Sequence, residues 1–312
     1  MVCHNCNSNC KKFGRHRNGL QRFRCKQCRK TFTEDHVTPL GSMRTHVEEA
    51  TKVIELLTEG CSVRSVERLT GIHHRTICAL LVLVGEKCEL LLESRIRNVP
   101  VSDLQLDELW GFVGCKEKRN VTGDPLRGDA YTFVAIERHT KLVLAWHLGR
   151  RSTRDTMAFT EKLEGATAGH FQVTTDGFAP YFDAIHTCLG TRVDCAQLIK
   201  VYAASAEEEH RYSPPQVVDI TVKPMRGNPD PERICTSHVE RANLTMRMQI
   251  RRLTRLTNAF SKKWANLKAA LGLYFAWYNL CHFHRTLRCT PAMAAGITDH
   301  IWTVRELMEA VA

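Results

Sequence analysis

Apolar positions in this chain follow a helical rhythm first, then a strand rhythm, then a helical one again. From Thr45 to Leu92 they recur every three or four residues, as at Val47, Ala50, Val53, Ile54 and Leu57, and the run stops at Gly60. Ser62 is placed to cap a second helix through Leu69. Gly71-Ile72 then makes a turn, and His74 to about Leu92 reads as a third helix. Three helices with a glycine turn before the last predict a helix-turn-helix module. In that arrangement His73, His74 and Arg75 open the third helix and face DNA.

The rhythm changes near Val99-Pro100. Leu104 to Val113 is apolar and aromatic enough for a central strand. Tyr131–Ile136 and Leu142–Trp146 predict two more strands joined by a hairpin loop. Thr153 to about Leu163 reads as a helix, Phe171–Thr175 as a short strand ending at Asp176-Gly177, and the stretch holding Tyr181, Phe182, Ile185 and Leu189 as a helix. The order β-β-β-α-β-α sets Asp107 inside the first strand and Asp176 just past the fourth. A carboxylate within an apolar strand is costly unless compensated. A metal ion held by paired carboxylates is the usual compensation. Asp176-Gly177 is by itself also a good turn.

Residues 203–235 read as irregular apart from a strand at Val217–Val222. A long helix follows from Thr236-Ser237. At 100° per residue, Arg247 and Arg251 each fall within about 20° of Glu240, and Arg255 about 60° from it. A carboxylate heading a row of arginines suits a metal site with a DNA backbone lying along the helix. Leu267–Tyr278 and Trp302–Val311 predict two closing helices, whose aromatic residues are packing groups.

Charge and cysteine sharpen this picture. Forty-four Lys and Arg against 33 Asp and Glu leave a net charge of +11, which favours a polyanionic partner. No apolar run follows the N-terminal residues or approaches bilayer length, so neither export nor a membrane is expected, and the setting is cytoplasmic and nucleoid-associated. Fourteen cysteines without a secretion signal favour metal ligation over disulfides. Cys3-x2-Cys6 and Cys25-x2-Cys28 have zinc-ribbon spacing, and a segment this short needs the metal to fold. His4 and Cys10 are nearby competitors. Around these knuckles Arg15, Arg17, Arg22, Arg24, Lys26, Arg29 and Lys30 alternate with Phe13, Phe23 and Phe32, a composition suited to phosphate contact.

Taken together, LDELWGFVG, TTDGF and SHVERANLTMR, with RRLTRLTNAFSK, YFAWYNLCHFHRTLR and TPAMAAGITDHIW downstream, resemble the InsA/InsB-type DDE transposases of bacterial insertion sequences. The likeness covers nearly the whole chain, which here carries uninterrupted the two parts that small members of that family join by frameshifting. It implies an α/β, ribonuclease-H-like catalytic domain, a mixed sheet with flanking helices, behind the zinc ribbon and helix-turn-helix. The expected domains are 1–40 (ribbon), 41–98 (helix-turn-helix), 99–260 (catalytic) and 261–312 (helical, packed on the catalytic domain). The catalytic triad implied is Asp107, Asp176 and Glu240, holding two Mg²⁺ or Mn²⁺ ions about 4 Å apart, beside one structural Zn²⁺. The implied partners are double-stranded DNA, namely the terminal inverted repeats and the target, and further copies of the chain in a dimer or larger assembly. Two rival readings remain from the residues alone: a zinc-ribbon and helix-turn-helix regulator without catalysis, and a ribonuclease-H-fold nuclease that cuts without joining.

Overall fold

The computed structural model describes residues 1–16, 19–34, 40–41, 43, 45–202 and 217–310. Backbone contacts divide the chain into two compact units, residues 1–42 and 43–311.

The first unit is a three-stranded antiparallel sheet, β1 (Cys10–Arg15), β2 (Gln21–Cys25) and β3 (Thr31–Thr33), in that order. Its apolar contacts are few: Phe23 stacks on Phe32 at 6.0 Å, and His4 meets Phe32 edge-on at 4.8 Å. A packing this small cannot offset the entropy of ordering the segment.

The second unit opens with α1 (Val47–Thr58), α2 (Val63–Thr70) and α3 (His74–Arg95). Ser62 caps α2 by accepting from the Ser65 amide, and Gly71 ends it in the left-handed region at φ 73°. These boundaries follow the sequence expectation closely.

Two short parallel strands, β4 (Val99–Pro100) and β8 (Thr167–Ala168), form a separate pair. The main sheet contains β5 (Asp103–Val113), β6 (Gly128–Glu137), β7 (Val143–Gly149), β9 (Phe171–Thr175), β10 (Val193–Tyr202) and β11 (Val217–Arg226). Its order is β11-β10-β9-β5-β6-β7. Strands β5, β6 and β7 form an antiparallel meander, β9 and β10 run parallel to β5, and β11 returns antiparallel at the edge. Helices α4 (Thr153–Ala166) and α5 (Pro180–Cys188) make the crossovers that parallel pairing requires. Phe133 of β6, Phe159 of α4 and Tyr181 of α5, all fully buried, form an aromatic cluster on that face, with Phe133–Phe159 centroids 5.6 Å apart.

Two features differ from the sequence reading. β10 was not expected: its apolar positions are too irregular to announce a strand, although Val193, Cys195 and Ala196 are buried beside β9. Helix α6 (Ser237–Gln249) is also shorter than expected, giving way at Ile250 to a single 3₁₀ turn at Arg251–Leu253.

Helix α7 (Trp264–Leu280) is apolar nearly all round, as a helix inside a protein must be. It crosses α3 backbone to backbone: a Cβ added to Gly85 would sit 2.1 Å from the Ala269 carbonyl oxygen, so only glycine permits the approach. The chain closes with α8 (Pro291–Ala294) and α9 (Val304–Ala310). No helix among the described residues is long and apolar enough to cross a membrane.

Candidate metal centres and nucleic-acid contacts

The central feature is the place where β5 outlasts its neighbour. Pairing with β9 runs from Asp103↔Gln172 to Gln105↔Thr174, whereas pairing with β6 continues to Phe112. β9 stops at Thr175 and the chain turns away at Asp176-Gly177, opening one edge of β5 beside Asp107 and Glu108. One oxygen from each of Asp107, Glu108 and Asp176 lies within 4.8 Å of the others.

Each carboxylate is fixed by its surroundings. Asp107 Oδ2 accepts from Asn243 Nδ2 of α6 at 2.7 Å, and Oδ1 accepts from the Glu108 amide at 2.8 Å. Asp176 Oδ1 accepts from the Phe178 amide at 2.9 Å, an Asx turn closing the strand. Arg151 lies against two of them, with Nε 3.3 Å from Glu108 Oε2 and Nη2 3.6 Å from Asp176 Oδ2.

Glu240 stands one helical turn before Asn243 on α6. Its Oε1 accepts from the Thr236 hydroxyl at 2.7 Å and pairs with Lys200 of β10. It is close enough to act on Asp107 electrostatically, but it is not in the cluster of three. The structure therefore brings Asp107 and Asp176 together, sets Glu240 beside them on a salt bridge, and adds Glu108.

Helix α6 reaches this place through anchors invisible in the sequence. Gln105, buried in β5, accepts from the His238 and Val239 amides and so caps the helix from the sheet. The preceding segment is held by a two-pronged ion pair of Arg233 with buried Asp103, and by reciprocal bonds between Gln172 and the Asp230 backbone.

The cluster carries the electrostatic mark of a cation site. Burial, then Asp176, and then Glu240 raise Asp107 from 3.8 to about 6. Burial and Asp176 raise Glu108 to about 7, against the opposing pull of Tyr181 and Arg151. Burial raises Asp176 too. Acids this resistant to ionising together are stabilised by a positive charge among them. Hard carboxylate oxygens are the donor set that Mg²⁺ and Mn²⁺ take. Glu108 Oε1 is moreover buried with no hydrogen-bond partner among the described residues. The residues fit a divalent ion.

Comparison with known proteins adds little to this geometry. No family model matches the chain, and no curated protein matches it in sequence. Among solved structures, a synaptic complex of the piggyBac transposase with hairpin DNA aligns over 87% of this chain and 72% of that one, at 11% identity and a TM-score of 0.41. So distant a likeness decides nothing about function.

In the first unit, Cys3, Cys6, Cys25 and Cys28 also lie within 4.8 Å of one another. The Cys3–Cys28 and Cys6–Cys25 sulfurs are 3.6 and 3.4 Å apart. A tetrahedron with metal–sulfur bonds of about 2.3 Å has edges of about 3.8 Å, so these spacings suit zinc. The Gln27 and Cys28 amides point at the Cys25 sulfur. Backbone amides lower Cys3, Cys6 and Cys25; Cys28, although the Lys30 amide opposes it, is pushed up to about 11 by burial and its thiol neighbours. Cys10, raised by burial, is not in the cluster, and His4 packs on Phe32.

The basic residues divide by what they touch. Arg15, Lys26, Arg29 and Lys30 are exposed, and Arg22 and Arg24 are half-buried over the Phe13 ring, 5.6 and 5.2 Å from its centroid. Arg17 lies outside the described residues. At the start of α3, His73 and Arg75 are exposed, while the His74 ring and amide both bond Glu67 of α2. These contacts, led by the His74 amide, lower Glu67 to about 2 and staple α2 to α3.

The expected arginine row does not form. Arg247 turns inward and donates to the Leu253 and Trp110 carbonyls, and burial lowers it to about 10. Arg251 and Arg255 lie beyond the end of α6 and are exposed. The arc assumed a helix continuing past Ile250.

Proposed function

We propose that this chain is a DDE transposase of the InsA/InsB type, which cleaves the ends of its own element and joins the freed 3′-OH ends to target DNA. The observation that carries this reading is the convergence of Asp107 and Asp176 at the open edge of β5, with Glu240 alongside on α6. The sheet order, a meander whose first strand is flanked on its other side by parallel strands, supports a ribonuclease-H-like domain. The net charge of +11 and the exposed basic residues of the first unit support a nucleic-acid partner. We read α1 to α3 as the helix-turn-helix, with His73 and Arg75 toward the DNA.

Asp107 and Asp176 would hold divalent ions, with Glu240 completing the shell once it leaves Lys200. When bound, such ions activate the attacking oxygen and stabilise the leaving one in a phosphodiester displacement. The chain's own residues supply rigidity: Asn243 holds Asp107, the Phe178 amide holds Asp176, and Gln105 fixes α6 against β5. Positioning of this kind is worth several kcal/mol of barrier. Two DNA ends must meet, so the working form is a dimer or larger.

The test uses duplex DNA carrying the inverted repeats that flank the coding sequence, with a pre-cleaved 3′-OH end as a second substrate. Wild-type protein nicks the first and joins the second when Mg²⁺ is present. Asp176→Asn keeps end binding and loses both reactions. Binding with no Mg²⁺-dependent nicking by the wild type would return the chain to the regulator class, and nicking without joining to the nuclease class.

A further inference from the structure

Alternation along β5 should point Glu108 away from Asp107, toward the face that holds Phe133 and Tyr181. It does leave on that face, yet its carboxylate returns to within 4.8 Å of Asp107 and Asp176, because β9 ends where it would have intervened. The side chain is 2% exposed and lies near the buried Tyr181 hydroxyl, yet Oε1 completes no hydrogen bond among the described residues. A leucine there would extend the apolar cluster without burying a charge. Glu108 therefore stands where folding alone would not place an acid.

Arg151 explains how the protein tolerates it. Its guanidinium spans Glu108 and Asp176 and lies over the Phe178 ring at 4.3 Å. It is the one cation paired with this cluster among the described residues. Its side chain is 42% exposed, on the turn between β7 and α4, so it can leave for solvent without disturbing the core. With all three carboxylates ionised, as a bound divalent ion would hold them, the one guanidinium leaves two negative charges.

We infer that Glu108 is a fourth carboxylate of the catalytic metal centre and that Arg151 is its resident counter-ion, displaced from Asp176 when a divalent ion enters. This rests on the metal-centre reading given above. Metal entry is then an exchange of cations, with Glu108 and Asp176 passing from Arg151 to the ion. The two residues act in opposite senses: Glu108 favours the metal and Arg151 competes with it.

That opposition supplies the test. Mn²⁺ binding to the full, zinc-loaded chain is titrated by electron paramagnetic resonance without DNA, so that activity is not the readout. Glu108→Gln, nearly isosteric, weakens Mn²⁺ binding tenfold or more, whereas Arg151→Gln strengthens it several-fold and Arg151→Lys lies near wild type. Melting temperatures recorded without Mn²⁺ establish that each variant is folded. Unchanged affinity in Glu108→Gln, alongside lost affinity in Asp176→Asn, overturns the inference and leaves the metal centre standing. Unchanged or weaker affinity in a folded Arg151→Gln overturns the counter-ion role. Absence of Mn²⁺ binding by the wild type at millimolar concentration overturns both the inference and the reading beneath it.

Discussion

A site strained by its own charges should gain stability when one charge is removed, and Asp107→Asn measures this. Asp107 rises from 3.8 to about 6 through burial, Asp176 and Glu240. At about 1.4 kcal/mol per pH unit, ionising it in the folded protein costs roughly 3 kcal/mol relative to the unfolded chain. The sign follows from the direction. Below about pH 4 the group is protonated in both states and there is no penalty; it grows as pH rises toward 6 and is complete above. Asparagine never ionises, so it escapes the penalty. It gives up one acceptor, because two donors face this carboxylate, Asn243 Nδ2 and the Glu108 amide, at a loss of about 1–2 kcal/mol. The net gain is about 1–2 kcal/mol at pH 7.5, or roughly 2–6 °C in melting temperature for a unit of this size. Calorimetry of zinc-loaded protein, free of Mg²⁺ and Mn²⁺, reads it at pH 7.5 and again near pH 4.5, where the gain should shrink toward zero or reverse. A variant equally or less stable than wild type at both pH values would show that burial and the neighbouring carboxylates do not penalise an ionised Asp107 as its placement requires.

Three further expectations concern the other parts. The first unit should bind one zinc per chain, with a folding contribution on the order of 10 kcal/mol; Cys25→Ser should release the metal and abolish DNA binding while the melting of residues 43–311 is unchanged, and a zinc-free native protein would contradict this. Arg247→Ala should lower stability by about 1–2 kcal/mol, since it strands the part-buried Trp110 and Leu253 carbonyls. Arg251→Ala and Arg255→Ala should leave melting unchanged and each reduce the salt dependence of DNA binding by about one unit of slope.

What could be read in advance separates along physical lines. Helices α1 to α3 were legible to within a few residues because their signals are local: the Ser62 cap, the Gly71 turn and the periodicity between them. The buried strands β5, β6, β7 and β9 were legible as apolar runs. Helix α6 is not legible at its C-terminus, where no glycine or proline marks the stop. It ends because Arg247 is drawn to carbonyls on β5 and on the turn after the helix, contacts no local pattern contains. β10 is illegible for the same reason: its burial comes from pairing with β9, not from its own alternation.

The site shows the same limit more sharply. Asp107 stood out as an acid in an apolar run, and Asp176 as an acid at a strand end. Glu108, adjacent to Asp107, carries no such signal, since a strand sends neighbours to opposite faces. That rule assumes a neighbouring strand on each side. Here the register Gln105↔Thr174 leaves only Thr175 before β9 turns away, so both faces of β5 open onto one space at residues 107 and 108. One further residue pair of β9 would have walled Glu108 off from Asp107. Lengthening β9 by a two-residue insertion after Thr175 should therefore break the cluster while every acid remains in the chain. A carboxylate's membership in this centre is thus set by where another strand ends, which is a property of register rather than of composition.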